Sequence, residues 1–82
     1  MNNDNLIRMA NKIGDFFIAM PNAAEGRAGI ANHLAKFWES RMLRSFFAHL
    51  DTHAAAGTDA GLSPILLETV TEYRVSLMPK PA

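Results

Sequence analysis

The chain has 82 residues, 49% of them hydrophobic, with eight basic and eight acidic side chains and no cysteine. Such a length holds one domain with a single core, and folding at this size buries only about 60–65% of the surface the unfolded chain exposes, so stability is marginal without a partner. Zero net charge leaves no electrostatic footprint for nucleic acid, and the lack of thiols excludes disulfides, iron–sulfur clusters and thiolate zinc sites.

The hydrophobic period is helical throughout, and the expectation is an all-α fold: a small bundle of four short helices over about 4–20, 22–38, 41–55 and 63–77, forming one domain across 1–82. Asp4, Arg8, Lys12 and Asp15 interrupt any signal-peptide core. No apolar run approaches the ~20 residues of a membrane span. The reading is a cytoplasmic protein with neither membrane nor nucleic acid as partner. In the first helix Leu6, Ala10, Ile13, Phe17 and Met20 share a face; Asn3 or Asp4 caps it and Pro21 ends it. Asn22 and Glu25 have capping-box spacing at the start of the second. There Ile30, Leu34 and Phe37 form the large apolar face, beside a seam of Ala24, Ala28, Ala31 and Ala35 that Trp38 closes. Gly26 and Gly29, unfavourable in a helix by about 1 kcal/mol each, leave room for a neighbouring helix. The third helix turns Leu43, Phe46 or Phe47, Leu50 and Ala54 inward, with Ser40 as cap and Gly57 as a left-handed stop. Ser63 and Pro64 open the fourth, Leu62 and Leu67 staple it, and Leu66, Val70, Tyr73 and Leu77 form its face. The tail from 78 to 82, MPKPA, cannot continue the helix and is expected to be loose.

The segment AKFWESRMLRSFF, 35–47, is the richest in contact residues. Neighbours on a helix stand about 100° apart, so Phe37–Trp38 and Phe46–Phe47 cannot both point down one narrow stripe. Either the apolar face is wide there or one ring of each pair meets something outside the chain. Trp38, Arg41 and Met42 are residue types enriched at interface cores, and Arg41 and Arg44, three apart, can grip a carboxylate or phosphate. Trp38, Arg41, Met42 and Arg44 are therefore the candidate partner-binding residues, set against a plainer reading in which Trp38 plugs the core and the arginines are solvated.

Chemistry is poorly represented. His49 and His53 have i, i+4 spacing that suits a metal, but HLDTH lacks the glutamate of a metalloprotease helix, and His33 would have to be brought near by the fold. Ser40 and Ser63 already serve as caps, Glu68 and Glu72 complement a helix dipole, and AGTDAG at 56–61 lacks the lysine and strand of a phosphate loop. Neither catalytic residue nor metal ligand is assigned, and no cofactor is expected in this chain.

Three passages, LIRMANKIGDFF (6–17), GIANHLAKFWESRM (29–42) and AGLSP (60–64), together resemble the delta subunit of the soluble, NAD-dependent, molybdenum-containing formate dehydrogenases of bacteria. The resemblance covers nearly all of the chain, with one departure: family members often have proline where this chain has Ser40. It implies a non-catalytic accessory subunit that binds the catalytic subunit of formate dehydrogenase and supports the assembly, stability or activity of the complex. The partner enzyme is implied to carry a molybdenum bis-pterin dinucleotide, iron–sulfur clusters and flavin. An alternative is a transient maturation factor assisting molybdenum-cofactor insertion, with Arg41 and Arg44 meeting the cofactor's phosphates. Self-association into a homo-oligomer when the partner is missing would hide the same surface.

Overall fold

Helical periodicity and well-placed breakers produce the architecture seen in a computed structural model, which describes residues 2–79. Five helices follow one another: α1 (Asn3–Phe17), α2 (Ala23–Phe37), α3 (Ser40–Ala55), α4 (Pro64–Glu72) and the single turn α5 (Arg74–Leu77). No strand occurs among the described residues. The expected all-α fold is present, with α2 at its centre against α1 and α4, and α3 lying on α1. The radius of gyration, 11.9 Å, is that of a tightly folded chain of this length, about 12 Å.

The core is built from Leu6, Ile7 and Ala10 of α1, Ile30, Ala31 and Leu34 of α2, Leu43, Phe46 and Phe47 of α3, and Leu66, Val70 and Leu77 beyond them. Trp38 lies at the corner between α2 and α3, 6% exposed, where two extended residues reverse the chain. Its ring meets Phe46 edge-on at 5.2 Å, and Phe46 meets Phe47 at 5.7 Å. Such pairs add about 0.5–1.5 kcal/mol beyond the area they bury.

Several boundaries differ from the sequence reading for identifiable reasons. α1 stops at Phe17 rather than residue 20, because the residue before a proline is driven out of helical geometry and the chain must reverse before Pro21. Met20 is consequently 41% exposed rather than part of the buried face. The cap of α1 is Asn2, whose side-chain oxygen accepts from the Asp4 amide at 2.8 Å, not Asn3 or Asp4. At α2, Asn22 Oδ1 accepts from the Glu25 amide at 3.1 Å as expected. α3 begins at Ser40 itself, after an extended Glu39. Ser40 is thus the first helical residue after an acidic cap position, the arrangement a proline at 40 would adopt. Ala54 faces outward, while Phe46 and Phe47 are both buried. Gly57 has φ +81° and ends α3 as expected.

The fourth helix is broken at Tyr73 rather than running to 77. Thr69 and Thr71 hydroxyls donate back to the carbonyls of Ile65 and Leu67 at 2.7 and 2.8 Å, a bond that bends helices. Leu77 still reaches the core. At the other end, Ser63 holds the cap position before Pro64, yet its hydroxyl is buried without a hydrogen-bond partner. In the expected loose tail, Met78 is half-buried against the core; residues 80–82 lie outside the described residues.

The three passages that carry the family resemblance meet in space. Asn11 donates its side-chain amide to the Gly61 carbonyl at 3.0 Å and accepts the Ser63 amide at 2.9 Å, tying α1 to the loop before α4. Gly14 faces Leu66 and Ile65 so closely that a Cβ there would overlap Leu66. A Cβ at Gly29 would overlap the Phe17 ring, and one at Gly26 would stand 3.0 Å from the Phe17 carbonyl. The expectation that Gly26 and Gly29 admit a neighbouring helix holds, and the neighbour is the end of α1.

Candidate functional site

The residues singled out at the corner separate into two kinds. Trp38 is in the core and Met42 is half-buried against it, whereas Arg41 and Arg44 are exposed. Arg41 makes only a 3.7 Å pair with Glu39, both side chains being more than two-thirds exposed. The corner therefore presents two guanidinium groups to solvent over an aromatic plug.

Adjacent aromatics resolve differently along the chain. At 46–47 both rings are buried, Phe46 against Trp38 and Phe47 beneath the Arg74 guanidinium. At 37–38 Trp38 takes the inside and Phe37 is left 69% exposed, contrary to its expected place on the buried face of α2. At 16–17 the outward ring is Phe16, 68% exposed, which meets Phe17 edge-on at 5.1 Å. Phe16 and Phe17, with Ile13 and His33, line a cleft of about 410 Å³ between α1 and α2. Phe37 lies one turn beyond His33, their ring centroids 4.8 Å apart. Met9, also substantially exposed, precedes Ile13 by one turn on the same side of α1. A continuous apolar stripe thus runs along the α1–α2 seam. Sequence reasoning missed it, although the Phe16–Phe17 doublet raised the same conflict of direction as the doublets that were noticed.

The opposite side, around α4, satisfies itself. Arg27 donates to Glu72 at 2.7 Å with Glu68 at 3.7 Å, and the hydrogen bond to Glu72 raises the Arg27 pKa further above its ordinary value. Arg74 forks onto both carboxylate oxygens of Asp51 at 2.9 and 2.7 Å, which holds Asp51 below the usual carboxylate range and raises Arg74. The Arg74 guanidinium also sits 5.2 Å from the Phe47 ring centroid. A cavity of about 270 Å³ opens here between α3 and α4, but of its lining groups Asp51 and Arg74 are paired with each other, Asp59 accepts the Gly61 amide and the Thr71 hydroxyl is bonded to backbone.

The histidines are placed modestly. His49 and His53 meet edge-on with centroids 4.5 Å apart, and His53 Nδ1 is 2.7 Å from the Thr58 hydroxyl, so that nitrogen is engaged in closing the turn after α3. His33 stands apart, beside Phe37. Among the described residues no three His, Asp or Glu side chains gather as metal ligands, and no helix is long and apolar enough to cross a membrane.

The Asn11 tether and the close glycine contacts all lie between residues 5 and 70. The model of one family, described as the NADH-dependent formate dehydrogenase delta subunit FdsD, matches residues 5–70. No curated protein and no solved structure matches the chain. With most of its length covered by that model, the chain belongs to the FdsD family of formate dehydrogenase delta subunits.

Proposed function

We propose that this protein is a non-catalytic accessory subunit that stays docked on the catalytic subunit of a formate dehydrogenase and supports the assembly, stability or activity of that complex. The observation that carries the reading is the set of large apolar side chains left in solvent on so small a domain: Phe16, Phe37, Ile18, Met9 and Met20 are each at least 41% exposed. Exposed apolar patches of this kind mark contact sites in soluble proteins. Catalysis belongs in this reading to the large subunits in the cytoplasm, together with the molybdenum bis-pterin dinucleotide, the iron–sulfur clusters and the flavin. The corner of Trp38, Arg41, Met42 and Arg44 is proposed as part of the contact. Its arginines would supply polar anchors, and Trp38 would act from within by holding the corner's shape.

One observation favours a second reading. Arg41 and Arg44 face solvent nearly free of competing acids, as a site for the phosphates of a cofactor in transit would require, so a transient maturation factor is the alternative. The experiment is the mass of the complex purified through a tag on the catalytic subunit, from cells making every subunit. This chain in stoichiometric amount beside molybdenum-loaded enzyme supports the resident subunit. Loaded, active enzyme that lacks the chain, yet forms only when it is expressed, supports the maturation factor and overturns the first reading.

A further inference from the structure

The α1–α2 stripe has both an apolar centre and a charged border, and the border indicates what covers it. Phe17 lies against Gly29, and Ile13, Phe16 and Phe17 share a cleft with His33. With the helices antiparallel, Phe37 is then level with the Met9 end of α1. Lys12 lies three residues after Met9 and four before Phe16, on the side of α1 away from α2. Lys36 lies three residues after His33, on the side of α2 away from α1. One lysine therefore flanks each long edge of the stripe. Arg8 adjoins Met9 in sequence, and Arg41 and Arg44 follow Phe37 around the corner, so five cations occur on the segments that carry the stripe. Among the described residues Arg8, Lys12, Lys36 and Arg44 form no ion pair, and Arg41 has only its distant pair with Glu39. The other cations of the described fold, Arg27 and Arg74, are taken up by Glu72, Glu68 and Asp51.

Desolvating an apolar centre ringed by unpaired cations is favourable only when the covering surface brings carboxylates to the ring. A second copy of this chain offers little of that kind. The acids near the stripe are Asp15 and Glu25 at its α1–α2 turn end and Asp4 and Glu39 at the other; Asp4 and Glu25 sit in the first turns of their helices, where they complement the dipoles, and Glu39 is already shared with Arg41. We infer that the stripe of Met9, Ile13, Phe16, His33 and Phe37 is the surface through which this chain docks on its formate dehydrogenase partner. Its occupant is an apolar ridge of that partner bordered by Asp and Glu side chains, which meet Lys12 and Lys36. The inference rests on the resident-subunit reading and gives it an address.

A competition experiment tests it. Wild-type chain and a variant are expressed at equal level with the other subunits, the complex is isolated through the catalytic subunit, and intact mass gives the ratio incorporated. Phe16→Ser with Phe37→Ser, and separately Lys12→Glu with Lys36→Glu, are each expected to fall about tenfold or more below wild type. Val75→Ser, at a position 92% exposed on α5, is expected to compete equally. The lysine pair lies outside the core, so its result stands even if the phenylalanine variant proves unstable. Loss of wild-type chain from the complex should also quicken as salt rises, because the border is Coulombic.

Equal incorporation of both double variants overturns the assignment while leaving the accessory reading intact. Variants that incorporate normally but no longer self-associate give the stripe to a second copy, which also overturns it. A complex that never retains the wild-type chain removes the resident-subunit reading itself, a different failure with a different signature.

Discussion

Two sides of this small bundle treat their charges and rings in opposite ways. Around α4, Arg27 and Arg74 are each bonded to carboxylates of the same chain, and Phe47 is covered by the core and by Arg74. Along the α1–α2 seam, Phe16 and Phe37 stand out in water while Lys12 and Lys36 have no ion-pair partner among the described residues. Both sides contain rings and cations; the difference is whether the chain supplies their complements. A side complete within itself has little to gain from a partner. One whose rings and cations are unmatched gains both apolar burial and charge pairing when another surface arrives.

The most forceful test of the boundary between inside and contact surface is truncation at the corner. Trp38→Ala and Phe46→Ala should each cost about 3–5 kcal/mol, read as a shift in urea midpoint of the free domain. For a chain this small that is much of its total stability. Trp38→Ala is therefore a core mutation before it is an interface mutation, and a midpoint close to wild type would return Trp38 to the contact surface. Gly14→Ala comes next. The added methyl must displace Leu66, which is fully buried, and the overpacking should cost about 1–3 kcal/mol despite the gain in helix propensity. Gly29→Ala meets only the half-buried Phe17 ring and should be milder, by the same denaturation measurement.

Smaller effects distinguish the two sides. Asp51 is paired with Arg74 but more than half exposed, so Asp51→Asn should cost no more than about 1 kcal/mol at neutral pH. The sign follows from its lowered pKa. The carboxylate stabilises the fold above the unfolded-state value of about 4, and that contribution fades as pH falls through the lower folded-state value. Denaturation midpoints of wild type and Asp51→Asn should converge as the pH is taken down through the folded-state value. Convergence at neutral pH would deny the pair any role. Smallest of all, Phe37→Ser should change the stability of the free domain by no more than about 0.5 kcal/mol. A loss of several kcal/mol would place Phe37 in the core and erase the contrast between the two sides.

Much of the fold was legible because helices announce themselves locally. The period of Leu6, Ala10 and Ile13, the cap at Asn22, the stop at Gly57 and the Ser63–Pro64 start depend only on nearest neighbours, and each lies where its residues imply. The break at Tyr73 was not legible, since neither glycine nor proline marks it along the chain. Gly14 passed unnoticed although it makes a closer contact than Gly26, because nothing along the chain reveals that Leu66 will arrive opposite it.

The candidate site shows the same division. Angular spacing alone established that paired aromatics cannot share a narrow stripe, and so that some rings must leave the core. Composition likewise excluded thiols and any net charge. Only the tertiary structure decided which rings those are. Phe46 and Phe47 both go inside because α3 is buried over a wide arc, while Phe37 goes out because Trp38 occupies the corner beside Phe46. Direction around a helix is a local property of the chain, whereas exposure is the shadow cast by every other helix.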